Sequence, residues 1–131
     1  MALDESEREL RMLHLRAKLA AERQFMDVVR QVQENRRDVL LLDVRDRAAF
    51  DQGHIPGARS LPLAELDVLA PTLAADRQYT TYCWRDTCHL ASRAALRLAE
   101  LGFDVREMNA GWREWQEAGL PEERGAPPAF E

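Results

Sequence analysis

Only two cysteines occur in the 131 residues, too few for the disulfide framework that holds small secreted domains together. Long apolar runs are missing as well. The longest, VLLL at residues 39–42, falls far short of the ~20 residues a membrane helix needs. The opening stretch MALDESERELRM is charged and has no apolar h-region, so nothing in it marks the chain for secretion. There is no basic excess: 18 Lys and Arg stand against 23 Asp and Glu, a net charge of −5. That balance argues against gripping a polyanion such as nucleic acid. Internal repeats are also lacking. The expectation from these absences is a cytoplasmic protein with neither a membrane nor a nucleic-acid partner. What remains, 46% hydrophobic and 31% charged residues, is an ordinary globular composition. The length suffices for one domain and is too short for two.

Hydrophobic period then separates the elements. Leu10, Leu13, Ala17 and Ala21, followed by Phe25, Val28, Val29 and Val32, recur at helical spacing and predict one or two amphipathic helices over the first 35 or so residues. DVLLLDV, at 38–44, has the continuous apolar character of a strand buried on both faces of a parallel sheet. RDRAAF reads as a short helix stopped at Gly53, HIPGA as a turn, and RSLPL as a brief extended piece interrupted by Pro62. LAELDVLAPTLA is helical in pieces with Pro71 as a breaker, and YTTYC is a strand by its aromatic and β-branched content. Leu90, Ala91, Ala94, Ala95, Leu98 and Leu101 line one face of a further helix ending near Gly102. FDVREM follows as a strand and GWREWQEA as a helix, with Gly119 as its stop. Strands alternating with helices predict an α/β domain with a mainly parallel sheet. Ligands bind such sheets beyond the carboxyl ends of the strands, and Cys83 sits at such an end.

The stretch YCWRDTCHLASRAA, residues 82–95, therefore carries the chemistry. A loop between a buried strand and a helix can aim several backbone N–H groups inward, and the helix start adds partial positive charge. Both favour an anion, so a thiolate at Cys83 would have a lowered pKa and be nucleophilic at neutral pH. On the local pattern alone, Cys83 is equally a small apolar residue closing a strand. Four residues separate Cys83 from Cys88, which makes Cys88 a candidate resolving thiol for a persulfide or sulfenate on Cys83, or a residue packed under the loop. A cysteine phosphatase would need an arginine closing the loop, where this chain has Cys88 and His89. Zinc on Cys83, Cys88 and His89 would lack a fourth ligand, so no metal is expected.

Two longer segments decide the question. LLDVRDRAAFDQGHIPGARSLPL, at 41–63, closely resembles the Asp-Val-Arg and Gly-His-Ile-Pro-Gly-Ala segment of rhodanese domains. YCWRDTCHLASRAALRLAELGFDVREMNAGWREWQEAGLP, at 82–121, is similar to their active-site loop and the elements after it. RAKLAAERQFMDVVRQV is also similar to the helical lead-in of a single-domain subgroup, so the resemblance reaches across residues 10–121.

It implies a five-stranded, mainly parallel sheet flanked by helices, with an extra N-terminal helix. It implies a sulfurtransferase without cofactor, carrying sulfane sulfur as a persulfide on Cys83 between a small-molecule or protein donor and a thiol or cyanide-type acceptor. Trp84, Arg85, Asp86, Thr87, Cys88 and His89 match the loop that wraps the sulfur, their backbone amides stabilising the anion. Asp43, Arg45 and His54 match scaffold positions near it, His54 in a structural role ahead of a general-base role.

The loop departs from the commonest rhodanese pattern, with Trp84 after the cysteine, no glycine, and Cys88 in place of a late arginine. This resembles a subgroup with a Cys-Trp-x-x-x-Cys loop. NAGW stands where a double glycine is usual, and Ala110 puts in doubt a tight backbone approach there. Arg85 and Asp86 cancel, so weak use of thiosulfate and better use of a less charged persulfide donor is expected. The expected layout is residues 1–24 as an N-terminal helical extension packing on the domain, 25–121 as the rhodanese-like domain, and 122–131 as a flexible C-terminal tail. Two alternatives stay open: a non-catalytic binding or regulatory module, and a Cys83/Cys88 dithiol redox switch.

Overall fold

A computed structural model describes residues 2–125. Five parallel strands, β1 (Glu22–Arg23), β2 (Val39–Asp43), β3 (Arg59–Ser60), β4 (Gln78–Tyr82) and β5 (Asp104–Met108), form one sheet in the order β1-β5-β4-β2-β3. This is the α/β architecture expected from the alternation of strands and helices. The centre is β2 beside β4, paired from Val39 with Gln78 to Asp43 with Tyr82. Both strands are buried on both faces, which accounts for the continuous apolar run in β2.

Side-chain alternation along β2 divides the core. Leu40 and Leu42 join Tyr79, Cys83, Leu61 and Leu66 with the inner face of α5 (Leu90–Glu100), whose Ala91, Ala94 and Leu98 are buried. Leu41 points the other way, into a cluster with Val28 and Val29 of α2 (Phe25–Gln33), Phe50 of α3 (Arg47–Gln52), and Trp112 and Trp115 of α6 (Trp112–Glu117). Between β3 and β4 the chain makes two 3₁₀ turns, at Leu63–Glu65 and Ala70–Thr72, around one turn of helix, α4 (Leu66–Leu69). Pro71 lies in the second turn, where its ring blocks longer helix. No helix among the described residues is long and apolar enough to cross a membrane.

The N-terminal segment meets the sheet edge at β1 and β5 without burying a face of its helix. Helix α1 (Glu5–Ala21) buries none of its residues, and Leu10, Leu13, Leu15 and Leu19 stay exposed. Leu10, Leu13 and Ala17 lie on one side of the helix while Met12, Leu15 and Leu19 lie on the other, so no single apolar stripe exists to bury. Local contacts hold it instead: Asp4 caps its start by accepting from the Glu7 N–H, and Lys18 pairs with Glu22 at 3.0 Å. Residues 22 and 23, read from sequence as the end of a helix, are β1, so the sheet's edge strand lies inside the expected extension.

The chain after α6 is also tied down as far as it is described. His54 and Glu123 exchange two backbone hydrogen bonds at 2.8 and 2.9 Å, and the Gly125 N–H donates to Asp51 O. Of the tail expected at 122–131, residues 122–125 thus lie against the domain, and the remainder lies outside the described residues.

Candidate active site

Strand β4 ends at Tyr82 and delivers Cys83 to the carboxyl edge of the sheet, where the chain turns before entering α5. The first turn of α6 clamps the start of this loop. The Trp112 N–H donates to Cys83 O and the Arg113 N–H to Trp84 O, both at 2.8 Å. This satisfies orphan amides of a helix start with loop carbonyls. Glu114 completes the cap by accepting from the Gly111 N–H at 2.6 Å.

Gly111 makes the close approach that Ala110 had put in doubt. A Cβ at Gly111 would fall on the Arg85 backbone nitrogen and come within 2.7 Å of Cys83 O and Trp84 C. These are backbone atoms with no rotamer to swing away. Gly111→Ala is therefore expected to cost about 3 kcal/mol, combining overpacking with strained or lost clamp hydrogen bonds. It should also slow the reaction of Cys83 with a thiol reagent by about 100-fold through displacement of the loop. Urea melts and initial rates on the same preparations check both effects.

Beneath the loop lies a buried polar frame. Arg45 holds Asp43 through a fork of hydrogen bonds, Nε to Oδ1 at 3.0 Å and Nη2 to Oδ2 at 2.7 Å, and both side chains are sealed from solvent. Arg45 Nη2 also donates to Gly53 O, and the Tyr82 hydroxyl donates to Asp43 Oδ2 while accepting from the Ile55 N–H. Burial, then the Asp43 charge, push the Tyr82 phenol well above its usual range, so it stays a donor. The Arg45 guanidinium lies 4.7 Å from the Trp84 ring centroid and 5.0 Å from that of Trp112. Arg45 thus connects the Asp-Val-Arg strand to the residue that follows Cys83.

His54 is placed elsewhere. It is fully buried, stacks on Phe50 at 3.7 Å and bonds Phe50 O through Nδ1 at 2.8 Å. It does not line the cavity that holds the thiols. No general-base geometry toward Cys83 exists.

That cavity, about 290 Å³, is lined by Cys83, Arg85, Asp86 and Cys88 of the loop, by Glu107 to Ala110 at the end of β5, and by Lys18 and Glu22 at the end of α1. Of the loop residues expected around the sulfur, Arg85, Asp86 and Cys88 face it. Trp84 is 43% exposed over Arg45, and Thr87 and His89 are exposed and line none of it. The amides that favour the ionised Cys83 are those of Ala91 and Trp84, so the first turn of α5 contributes beside the loop.

The proton affinities reverse the expectation for Cys83. Burial, followed by a hydrogen bond with Cys88, pushes its thiol up to about 12. For Cys88 burial acts in the same sense, but hydrogen bonds from Cys83 and from the Leu90 and Trp84 amides, with the Arg85 charge, outweigh it and the net shift is downward. Both cysteines are free, and Cys83 Sγ donates to Cys88 O at 3.4 Å. Cys88 is the member that ionises first.

Sequence reasoning missed Gly111, the cavity wall at Glu107 to Ala110, and Lys18 with Glu22. The β5 residues carried a usable signal, since they too end a parallel strand. Lys18 and Glu22 carried none, because one sits in the last turn of an exposed helix and the other in a two-residue edge strand that shows no period.

The rhodanese-like domain family model matches residues 26–118. The chain is 39% identical over 90 residues to the HTH-type transcriptional regulator Rv0324 of Mycobacterium tuberculosis, a match covering 69% of this chain and 40% of that protein. It thus spans less than half the length of that relative. It is 31% identical over 85 residues to the thiosulfate sulfurtransferase GlpE of Pseudoalteromonas translucida, covering 64% of this chain and 79% of that enzyme. Among solved structures, the BH2092 protein of Bacillus halodurans superposes with a TM-score of 0.80 at 29% identity, covering 88% of this chain and 85% of that one.

Proposed function

The chain belongs to the rhodanese-like domain family, and from that premise we propose that it is a cytoplasmic sulfurtransferase whose Cys83 carries sulfane sulfur as a persulfide. The observation that supports this most is the placement of Cys83: at the carboxyl end of β4, at the start of the loop that leads into α5, and lining a cavity.

The Cys83 thiolate attacks the outer sulfur of a donor R–S–SH and expels RS⁻. The donor's own proton passes to RS⁻, which leaves as the thiol. The resulting Cys83 persulfide anion lies in the amide cradle until a thiolate or cyanide acceptor removes the outer sulfur and restores Cys83.

Charge around the cavity sets the donor. Lys18 and Arg85 are matched by Glu22, Asp86 and Glu107, and Lys18 is already paired with Glu22. A dianion such as thiosulfate meets no positive excess. A low-molecular-weight or protein persulfide should therefore be used with kcat/KM about tenfold or more above thiosulfate. Initial rates of sulfur transfer to cyanide and to a thiol, measured with both donors, check this. Failure to transfer from either donor to either acceptor sinks the proposed function.

The exposed Trp84 supports a second reading, a binding module, in line with the regulator among the relatives. On that reading Cys83→Ser would leave the protein's biological output intact.

A further inference from the structure

Cys88 has no part in loading sulfur onto Cys83, yet the loop places it beside that residue. The Cys88 N–H donates to Arg85 O at 3.1 Å, closing a turn that folds residue 88 back over Cys83. Cys83 Sγ reaches the Cys88 carbonyl at 3.4 Å, and the two thiols line the same cavity. Cys83 is 1% exposed, while Cys88 is half-buried and nearer solvent. Among the cavity-lining residues no third side chain is a thiol or hydroxyl. A sulfur atom added to Cys83 thus has Cys88 as its protein nucleophile, at the high effective concentration of an intramolecular partner.

We propose that Cys88 makes this domain a sulfide-releasing centre: its sulfur attacks Cys83 Sγ of the persulfide, forms a Cys83–Cys88 disulfide and expels the outer sulfur as hydrosulfide. The inference rests on the reading of Cys83 as the sulfur carrier. The balance is Cys83–S–SH plus Cys88–SH giving Cys83–S–S–Cys88 plus H₂S. The S–S bond to the outer sulfur breaks and the S–S bond between the two cysteines forms. The sulfane sulfur is reduced by two electrons, and the two cysteine sulfurs are together oxidised by two. The Cys88 proton leaves with the hydrosulfide. An external thiol or dithiol reductant resets the pair by thiol–disulfide exchange and is itself converted to its disulfide. Over a full cycle the protein consumes a persulfide and two thiol equivalents and releases sulfide, which a transferase requiring a sulfur acceptor does not do.

The downward shift of Cys88 against the upward shift of Cys83 agrees with this division of labour, because the attacking thiol should be the more acidic of the two. Persulfide formation and its resolution fall to different cysteines, so single substitutions separate them.

The test loads fully reduced protein with one equivalent of a low-molecular-weight persulfide, without added thiol, and follows intact mass and free sulfide. Wild type is expected to release about one sulfide per chain and to end about 2 Da lighter, with the peptides of Cys83 and Cys88 cross-linked. Cys88→Ser is expected to stay about 32 Da heavier, with sulfide release slowed by at least ~100-fold. Cys88→Ala, free of any hydroxyl, should behave the same. Cys83→Ser should show neither change and gives the background release from the donor. Wild type that keeps the added sulfur without losing 2 Da overturns the proposal, as does finding the sulfur on Cys88. Failure of Cys88→Ser and Cys88→Ala to gain any sulfur instead overturns the carrier reading on which it rests.

Discussion

Cys83→Ser is expected to lower sulfur transfer by at least ~1000-fold, in the range seen when a covalent nucleophile is removed. An alkoxide is not available near neutral pH, and an oxygen–sulfur adduct would not serve as a persulfide. The buried position also means that the loss should not come from unfolding. Cys83 contacts the core cluster of Leu42, Val44 and Ala91, and serine is smaller than cysteine at the same branch point. The hydroxyl retains a donor for Cys88 O, where the thiol now donates. A stability change within about 1 kcal/mol is expected alongside the lost activity. Paired urea melts and rate measurements on one preparation read both quantities. Transfer that survives at more than a tenth of wild type would assign the chemistry to another residue.

The largest stability effect should come from Asp43→Ala, at about 3–5 kcal/mol of lost folding free energy. The carboxylate faces the fully buried Arg45 guanidinium through three side-chain hydrogen bonds and accepts a fourth from the Tyr82 hydroxyl. Removing it leaves an unpaired cation and an orphaned phenol in the core. The same loss frees the guanidinium that sits between Trp84 and Trp112, so the cysteine loop should loosen as well. A double replacement, Asp43→Leu with Arg45→Met, removes both charges and should recover much of the loss in melts, because matched apolar groups avoid the penalty of a lone buried charge. If the double variant is as unstable as Asp43→Ala, the ion pair is not the source of the cost. If it recovers stability but not activity, the frame's role is to position Trp84 and the loop behind it.

How far the sequence could carry this reading follows from what each residue's role depends on. The central strands were legible because burial on both faces leaves a run such as VLLL, which no exposed element tolerates. Cys83 was legible as a site because a thiol at the end of such a strand stands where parallel sheets bind ligands. The scaffold character of Asp43 and Arg45 came through the family resemblance. The fork itself could not be foreseen, since it needs both side chains in one sealed space.

Two features depend on tertiary contact and left no local trace, and a third was legible but misread from its spacing. Strand β1 is two polar residues, too short for any alternation, and is defined only by its pairing with Glu107 and Met108. Helix α1 has the spacing of an amphipathic helix, yet its apolar residues divide between two sides, and periodicity alone counted them as one. Gly111 looks ordinary in NAGW. Its necessity comes from a loop nearly 30 positions earlier in the chain lying against it.

The proton affinities of the two thiols show the same limit. A helix start does lower the pKa of a nearby thiol, and that rule predicted a reactive thiolate at Cys83. Burial overrides it at Cys83, while at Cys88 the interaction with Cys83, then the amides and the Arg85 charge, prevail. Which of two neighbouring cysteines is the acid depends on solvent access, and sequence does not encode that locally.

The most direct test of the account is peptide-mapped mass spectrometry of the Cys88→Ser protein after brief exposure to a low-molecular-weight persulfide and an alkylating quench. A single added sulfur, about 32 Da, is expected on the peptide that carries Cys83, removed again when cyanide is supplied. An unmodified Cys83 peptide under conditions that persulfidate a small free thiol would contradict it.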